Sequence, residues 1–234
     1  MPLVMNVAQG NHRDGWAAVE SAPLFRDVSQ EDFRRISAAA RLKRLTRGDT
    51  LYWEGDTVNQ VFLLISGFVK MSQLGSNGVE VILRLGTPGE VLGAERLFST
   101  GRHSTTAQAI RGCGALVWDA AVFKAQVERL PVLHQNMMQS TCGYLQELEE
   151  RFRELATEQV ASRIVRQLIR LQAQAGSPEI GLSQEGLAQM TGTTVYTVSR
   201  LLSAWKARGL VNSRRQAVVI SDAQSLHRVL QQES

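Results

Sequence analysis

Between residues 41 and 120 the chain cannot run far in one direction. Turn-forming clusters interrupt it at TRGD (46–49), WEGD (53–56), SG (66–67), GSNG (75–78), TPG (87–89), STG (99–101) and RGCG (111–114). Breaks about 8 to 12 residues apart leave room for short strands and exclude helices of ordinary length, so the spacing predicts an antiparallel β-sandwich or roll. VFLLISGFVKMSQ runs into GSNG and returns as VEVILRL, which reads as a hairpin. The interior of such a roll is about one small ligand wide.

On either side of this region the period changes. Residues 1–20 lack periodicity and read as a flexible arm, and Leu24, Phe25, Phe33 and Ile36 then suggest a short helix within Pro23–Ala40, capped by Asp27 or Ser29. After Ala120 the pattern is helical. Met138, Thr141, Leu145, Leu148, Phe152 and Leu155 are spaced 3, 4, 3, 4, 3, the a/d seam of a heptad repeat, with Glu147, Glu149, Glu150, Arg151 and Arg153 on its flanks. So narrow a stripe with charged borders favours two copies of this helix, residues 131–156, pairing as a dimer over a single helix that covers its own domain. A second stripe, Val160, Ile164, Leu168 and Leu171, ends at the breakers AGSPEIG.

The last segment, 157–234, is compact. A short helix capped by Ser183, a Thr191-Gly192-Thr193 turn and a second helix capped by Thr194 make a helix-turn-helix. Val198, Leu201, Leu202 and Trp205 define the inner face of the second helix. Val195, Tyr196, Ser199 and Arg200 occupy its leading outer edge, where a recognition helix meets bases in the major groove. Arg200 suits guanine O6 and N7. The hydroxyls of Ser183, Thr194 and Thr197 suit phosphate oxygens, as do Arg214 and Arg215 on a following β-hairpin wing.

Charge supports this placement. The net charge is +4, yet through Ala156 there are 17 basic and 17 acidic residues, and beyond it 9 against 5. A basic tail on a neutral body implies an anionic polymer as partner for that end. RNA is disfavoured, because the deep, narrow major groove of A-form RNA excludes a helix. No apolar run is long enough to span a membrane, and no secretory signal opens the chain. Two cysteines, Cys113 and Cys142, read as small buried residues in a reducing cytoplasm. The four histidines are scattered, no HExxH, P-loop or GxGxxG sequence is present, and neither an enzyme nor a metal site is expected.

LSQEGLAQMTGTTVYTVSRLLSAWKARGL resembles the DNA-binding motif of the cyclic-AMP receptor protein/FNR (CRP/FNR) family of bacterial transcription regulators. GDTLYWEGD, ISGFVKMS and PGEVLGAERLFSTGRHSTTAQA resemble that family's β-roll effector domain, in the same order. The likeness spans about residues 21–230 and implies an α+β chain. Its parts would be an N-terminal antiparallel, cyclic-nucleotide-binding-like β-roll (21–130), a long dimerisation helix and a C-terminal winged helix-turn-helix. It also implies a homodimer on two-fold symmetric double-stranded DNA, with RNA polymerase as a further partner.

The effector pocket implied by the resemblance comprises Gly93, Ala94, Glu95, Ser104, Thr105, Leu148 and Glu149. Cyclic-AMP-binding members carry a Gly-Glu pair for the ribose and an Arg-Ser pair for the phosphate. Here these fall on Gly93-Ala94 and Ser104-Thr105, so the carboxylate and the arginine are both missing, and Leu148 and Glu149 replace adenine-contacting hydroxyls. Arg102, two residues before Ser104, could share its strand face and substitute. Tight cyclic-AMP binding is not expected. The FNR-type iron–sulfur cluster needs four cysteines and is excluded by counting. His12, His103, His134 and the methionines leave haem as an alternative, and the two cysteines leave a thiol sensor. Tyr196 stands where the FNR pattern has Glu, so the half-site should differ there. The rival function is a β-roll regulatory module acting through protein partners.

Overall fold

The structure, a computed structural model, describes residues 19, 22–176, 179–214 and 216–232. The arm expected over residues 1–20 lies outside this set apart from Val19, which is buried in the core. The described residues form two compact units, one drawn from positions up to 71 with 85–145 and one from 72–84 with those from 146 onward.

In the first unit a 3-10 turn, Pro23–Phe25, precedes helix α1, Gln30–Ala38. The short helix expected within Pro23–Ala40 is α1, and of its two candidate caps Ser29 is the one used, while Asp27 takes a left-handed φ of 60° in the turn before it. Ser29 caps α1, its Oγ accepting from the Asp32 amide at 3.1 Å. The strands are β1 (Arg41–Leu45), β2 (Thr50–Tyr52), β3 (Gln60–Ser66), β4 (Val69–Leu74), β5 (Glu80–Gly86), β6 (Val91–Leu92), β7 (Thr106–Ala109) and β8 (Cys113–Asp119). They form two four-stranded sheets, ordered β1-β8-β3-β6 and β2-β7-β4-β5. The expected hairpin is β4–β5 alone. The Ser66-Gly67 turn sends β3 into the other sheet, where Phe62 pairs with Val117 and Leu92.

Strand β3 is buried on both faces, which explains its unbroken apolar run. Val61 and Leu63 pack with Phe25, Ile36, Trp118 and Phe123 under the helices. Phe62 and Leu64 alternate to the roll interior with Tyr52, Met71, Leu92 and Val117. Helix α2 (Ala120–Arg129) follows β8, and the Trp118 indole donates to the Ile36 carbonyl at 2.7 Å. Helix α3 then runs 27 residues, Pro131–Thr157. On it the buried Asn136 amide donates to the Leu24 and Arg26 carbonyls, tying down the 3-10 turn.

Beyond its shares of β4, β5 and α3, the second unit contains α4 (Val160–Ala175), β9 (Glu179–Ile180), α5 (Gln184–Thr191), α6 (Val195–Ala207), β10 (Val211–Arg214), β11 (Ala217–Ile220) and α7 (Ala223–Gln232). Its sheet is ordered β10-β11-β9. Asp222 opens α7 by accepting from the Ser225 amide at 2.9 Å, and that bond holds its carboxyl below the usual aspartate range.

Candidate DNA-recognition site

Helix α5 begins at Ser183, whose Oγ accepts from the Gly186 amide at 3.1 Å, and ends at Gly192. Gly192 has φ 63°, ψ 45°, a left-handed conformation that costs a residue with a Cβ about 1–2 kcal/mol. A Cβ there would also stand 3.0 Å from Leu155 Cδ2. Two residues later Thr194 caps α6, accepting from the Thr197 amide at 3.1 Å and meeting the Thr197 hydroxyl at 3.0 Å. A capping hydroxyl accepts from its helix and keeps its own hydrogen to donate outward. Ser183 therefore remains chemically able to meet a phosphate oxygen.

The faces of α6 divide as its period requires. Val198, Leu202 and Trp205 are buried against the body of the unit. Leu201, expected to face inward with them, is only half-buried, because it lies at the margin of that stripe. On the opposite side Tyr196 is 78% exposed, and Val195, three residues before Val198 at the open start of the helix, is 46% exposed. Arg200 is exposed one turn beyond Tyr196, and Ser199 is half-buried. All four expected base-reading side chains thus share the amino-terminal half of one helix.

Two arginines that the sequence did not single out fix this motif. Buried Arg151, on α3, donates from Nη2 to the Met190 carbonyl at 2.7 Å and to the Ile82 carbonyl at 3.4 Å. Arg163, on α4, donates from Nε to the Thr191 carbonyl at 3.1 Å. Both place positive charge at the carboxyl end of α5, where unmatched carbonyls concentrate negative potential. Gln189 adds a bond of 3.1 Å to Glu80 on β5. In a charged heptad flank, Arg151 has no sequence signal that separates it from a solvated arginine.

On the wing, Arg214 lies within β10 and pairs with Glu179 at 3.2 Å, both side chains largely exposed. Arg215 lies outside the described residues.

In the roll, Ala94 and Thr105 are buried, and Ser104 and Glu95 are half-buried. His103 stacks on Tyr52 with ring centroids 3.6 Å apart, and Gly93 backs against it, its absent Cβ leaving 3.0 Å to the imidazole. The His103 Nδ1 and the Thr105 hydroxyl are buried without a hydrogen-bond partner. Burial pushes the His103 imidazole down to about 4, against a smaller opposing pull from Asp56. Arg102 is exposed and donates to the Gly55 carbonyl at 2.8 Å. In the second unit Leu148 is half-buried and Glu149 exposed.

Along α3 the seam is open. Phe152 is 74% exposed, and Met138, Leu145 and Leu155 are exposed with it, as is Thr141; Leu148 is half-covered. Cys113 is buried, its thiol pushed up to about 11 chiefly by burial. Cys142 was expected to be buried and is exposed, because α3 turns it outward beside the seam. Among the described residues no group of three His, Cys, Asp or Glu could hold a metal, and no helix is long and apolar enough to cross a membrane.

A β-roll, a long helix and a winged helix-turn-helix define a class: a transcription regulator that joins a sensor-type domain to a DNA reader. A family model described as a cyclic nucleotide-binding domain matches residues 42–129, and one described as a Crp-like helix-turn-helix domain matches 162–229. The chain belongs to the CRP/FNR family of sequence-specific DNA-binding transcription regulators. It is 24% identical over 214 residues to the CRP-like cAMP-activated global transcriptional regulator of Mycobacterium tuberculosis, covering 88% of this chain and 96% of that one. It is 26% identical over 211 residues to the cyclic AMP receptor protein of Thermus thermophilus, covering 90% and 98%. Its fold matches FixK2 from Bradyrhizobium japonicum with a TM-score of 0.72 at 23% identity, over 81% of this chain and 96% of that one. These relatives are regulators of transcription, not enzymes.

Proposed function

We propose that this chain acts in the cytoplasm as a homodimer whose two α6 helices enter successive major grooves of a two-fold symmetric site, under an effector other than cyclic AMP. The observation that carries the reading is the two-faced α6: a buried apolar side seats it, Tyr196, Ser199 and Arg200 lie away from that side, and Val195 is exposed at its leading end. Arg200 reads guanine, while Ser183, Thr194, Thr197, Arg214 and Arg215 hold phosphates. Pairing along the exposed α3 seam sets the two helices about one turn of DNA apart, and RNA polymerase is the partner that reads the bound dimer.

The effector differs from that named for the two relatives because Ser104 and Thr105, where the resemblance places the phosphate-holding pair, carry no cation. Ala94 puts a buried methyl where a ribose carboxylate would act. Arg102 is committed to the Gly55 carbonyl, and His103 is uncharged at neutral pH. An anion buried without a counter-charge is strongly disfavoured.

Retardation of a selected duplex by the full chain, lost in Arg200→Ala, tests the DNA role; retardation unchanged by that substitution would remove Arg200 from the reading. Calorimetric titration should show no micromolar cyclic-AMP binding, and finding it overturns the effector assignment. Absence of a sharp Soret band after haem reconstitution removes the haem alternative.

A further inference from the structure

We infer that Tyr196, with Val195 beside it, is a specificity-determining residue that reads the 5-methyl group of thymine, so that each half-site carries thymine at the base pair facing the first turn of α6. This rests on the DNA-reading role proposed above and names what that helix selects.

The starting observation is hydrocarbon left in water. Among the described residues beyond Leu155, Val195 and Tyr196 are the two large hydrophobic side chains that are exposed. They are adjacent, and they sit at the first two positions of α6, immediately after the Thr194 cap. Packing gives no reason for them there: Val198, Leu202 and Trp205 already bury the helix, and its cap is complete without either side chain. Single exposed hydrophobic residues are common, but two consecutive ones at the tip of a reading helix leave an apolar leading edge in water.

That edge has one chemical complement in the major groove. Base edges there present hydrogen-bond donors, acceptors and a single apolar group, the thymine methyl. A tyrosine hydroxyl meets any acceptor and so distinguishes bases poorly, whereas its ring gains by covering the methyl and gains nothing over cytosine. Arg200, on the same face one turn later, supplies the polar readout of guanine. The two residues therefore divide the work: Arg200 fixes a G·C pair by hydrogen bonds, and Tyr196 fixes an A·T pair by hydrocarbon contact. No carboxylate stands at 196 to favour cytosine N4, and a neutral hydroxyl that both donates and accepts singles out no base.

The test uses the full-length protein. Selection from random duplexes first gives the half-site, and the position facing Tyr196 should be thymine. Replacing that thymine by uracil deletes only the methyl and should weaken binding about fourfold per half-site, the affinity worth of one buried methyl. Tyr196→Phe should keep this uracil penalty, since the ring is retained. Tyr196→Glu should abolish it and shift selection toward cytosine. Equal affinity for thymine and uracil, or an unchanged FNR-type half-site in the selection, overturns the inference while leaving the DNA-reading role standing. If no sequence is selected, the role itself falls, and this inference with it.

Discussion

At the residue scale, function divides between side chains that point outward and one that is sealed in. Arg200 is exposed, and its removal should cost ~1–3 kcal/mol of discrimination at one base position. Arg214 behaves differently, because Glu179 already pairs with it at 3.2 Å. Glu179→Gln should release that guanidinium and steepen the logarithmic salt dependence of binding by about one unit, with little change in base preference. His103 makes a prediction about stability. Its folded value near 4 lies below the ordinary 6.5, so the unfolded chain takes up a proton first as pH falls. Its contribution is complete above pH 6.5 and is lost on descending toward pH 4. Urea unfolding across that range should show the slope, and His103→Phe, which keeps the stack on Tyr52, should flatten it.

At the element scale, the helix-turn-helix is held by its ends. Ser183 and Thr194 start the two helices, Gly192 turns the chain, and Arg151 and Arg163 close the carboxyl end of α5. Thr194→Ala should cost ~1 kcal/mol as a lost cap. Arg151→Ala should do more, because two carbonyls lose a buried donor, and hydrogen exchange should quicken through α5 and the turn. Unchanged exchange would mean that apolar packing alone positions α5. The caps and the turn were legible in sequence because they act within four residues of themselves. Arg151 was not, since its partners lie 39 and 69 residues away.

At the scale of the whole molecule, the open α3 seam is the feature that most needs a second copy. Phe152→Lys or Leu145→Lys places charge on that stripe and should leave a folded monomer by sedimentation, with DNA affinity greatly reduced. A dimer unaffected by both substitutions would locate the interface elsewhere.

Local pattern was enough for much of this protein. Turn clusters, the heptad spacing and the two-faced helix after Thr194 each carry their meaning within a few residues, so the sheet region, the 27-residue helix and the reader could be seen in the chain. Cys142 shows where that vision stops, because it was expected to be buried and α3 leaves it exposed. Only folding decided that β3 leaves its apparent hairpin for the other sheet, that His103 is sealed against Tyr52, and that Arg151 is buried. Each of those facts is set by groups far apart in the chain, and a burial or a hydrogen bond exists only once both partners have arrived.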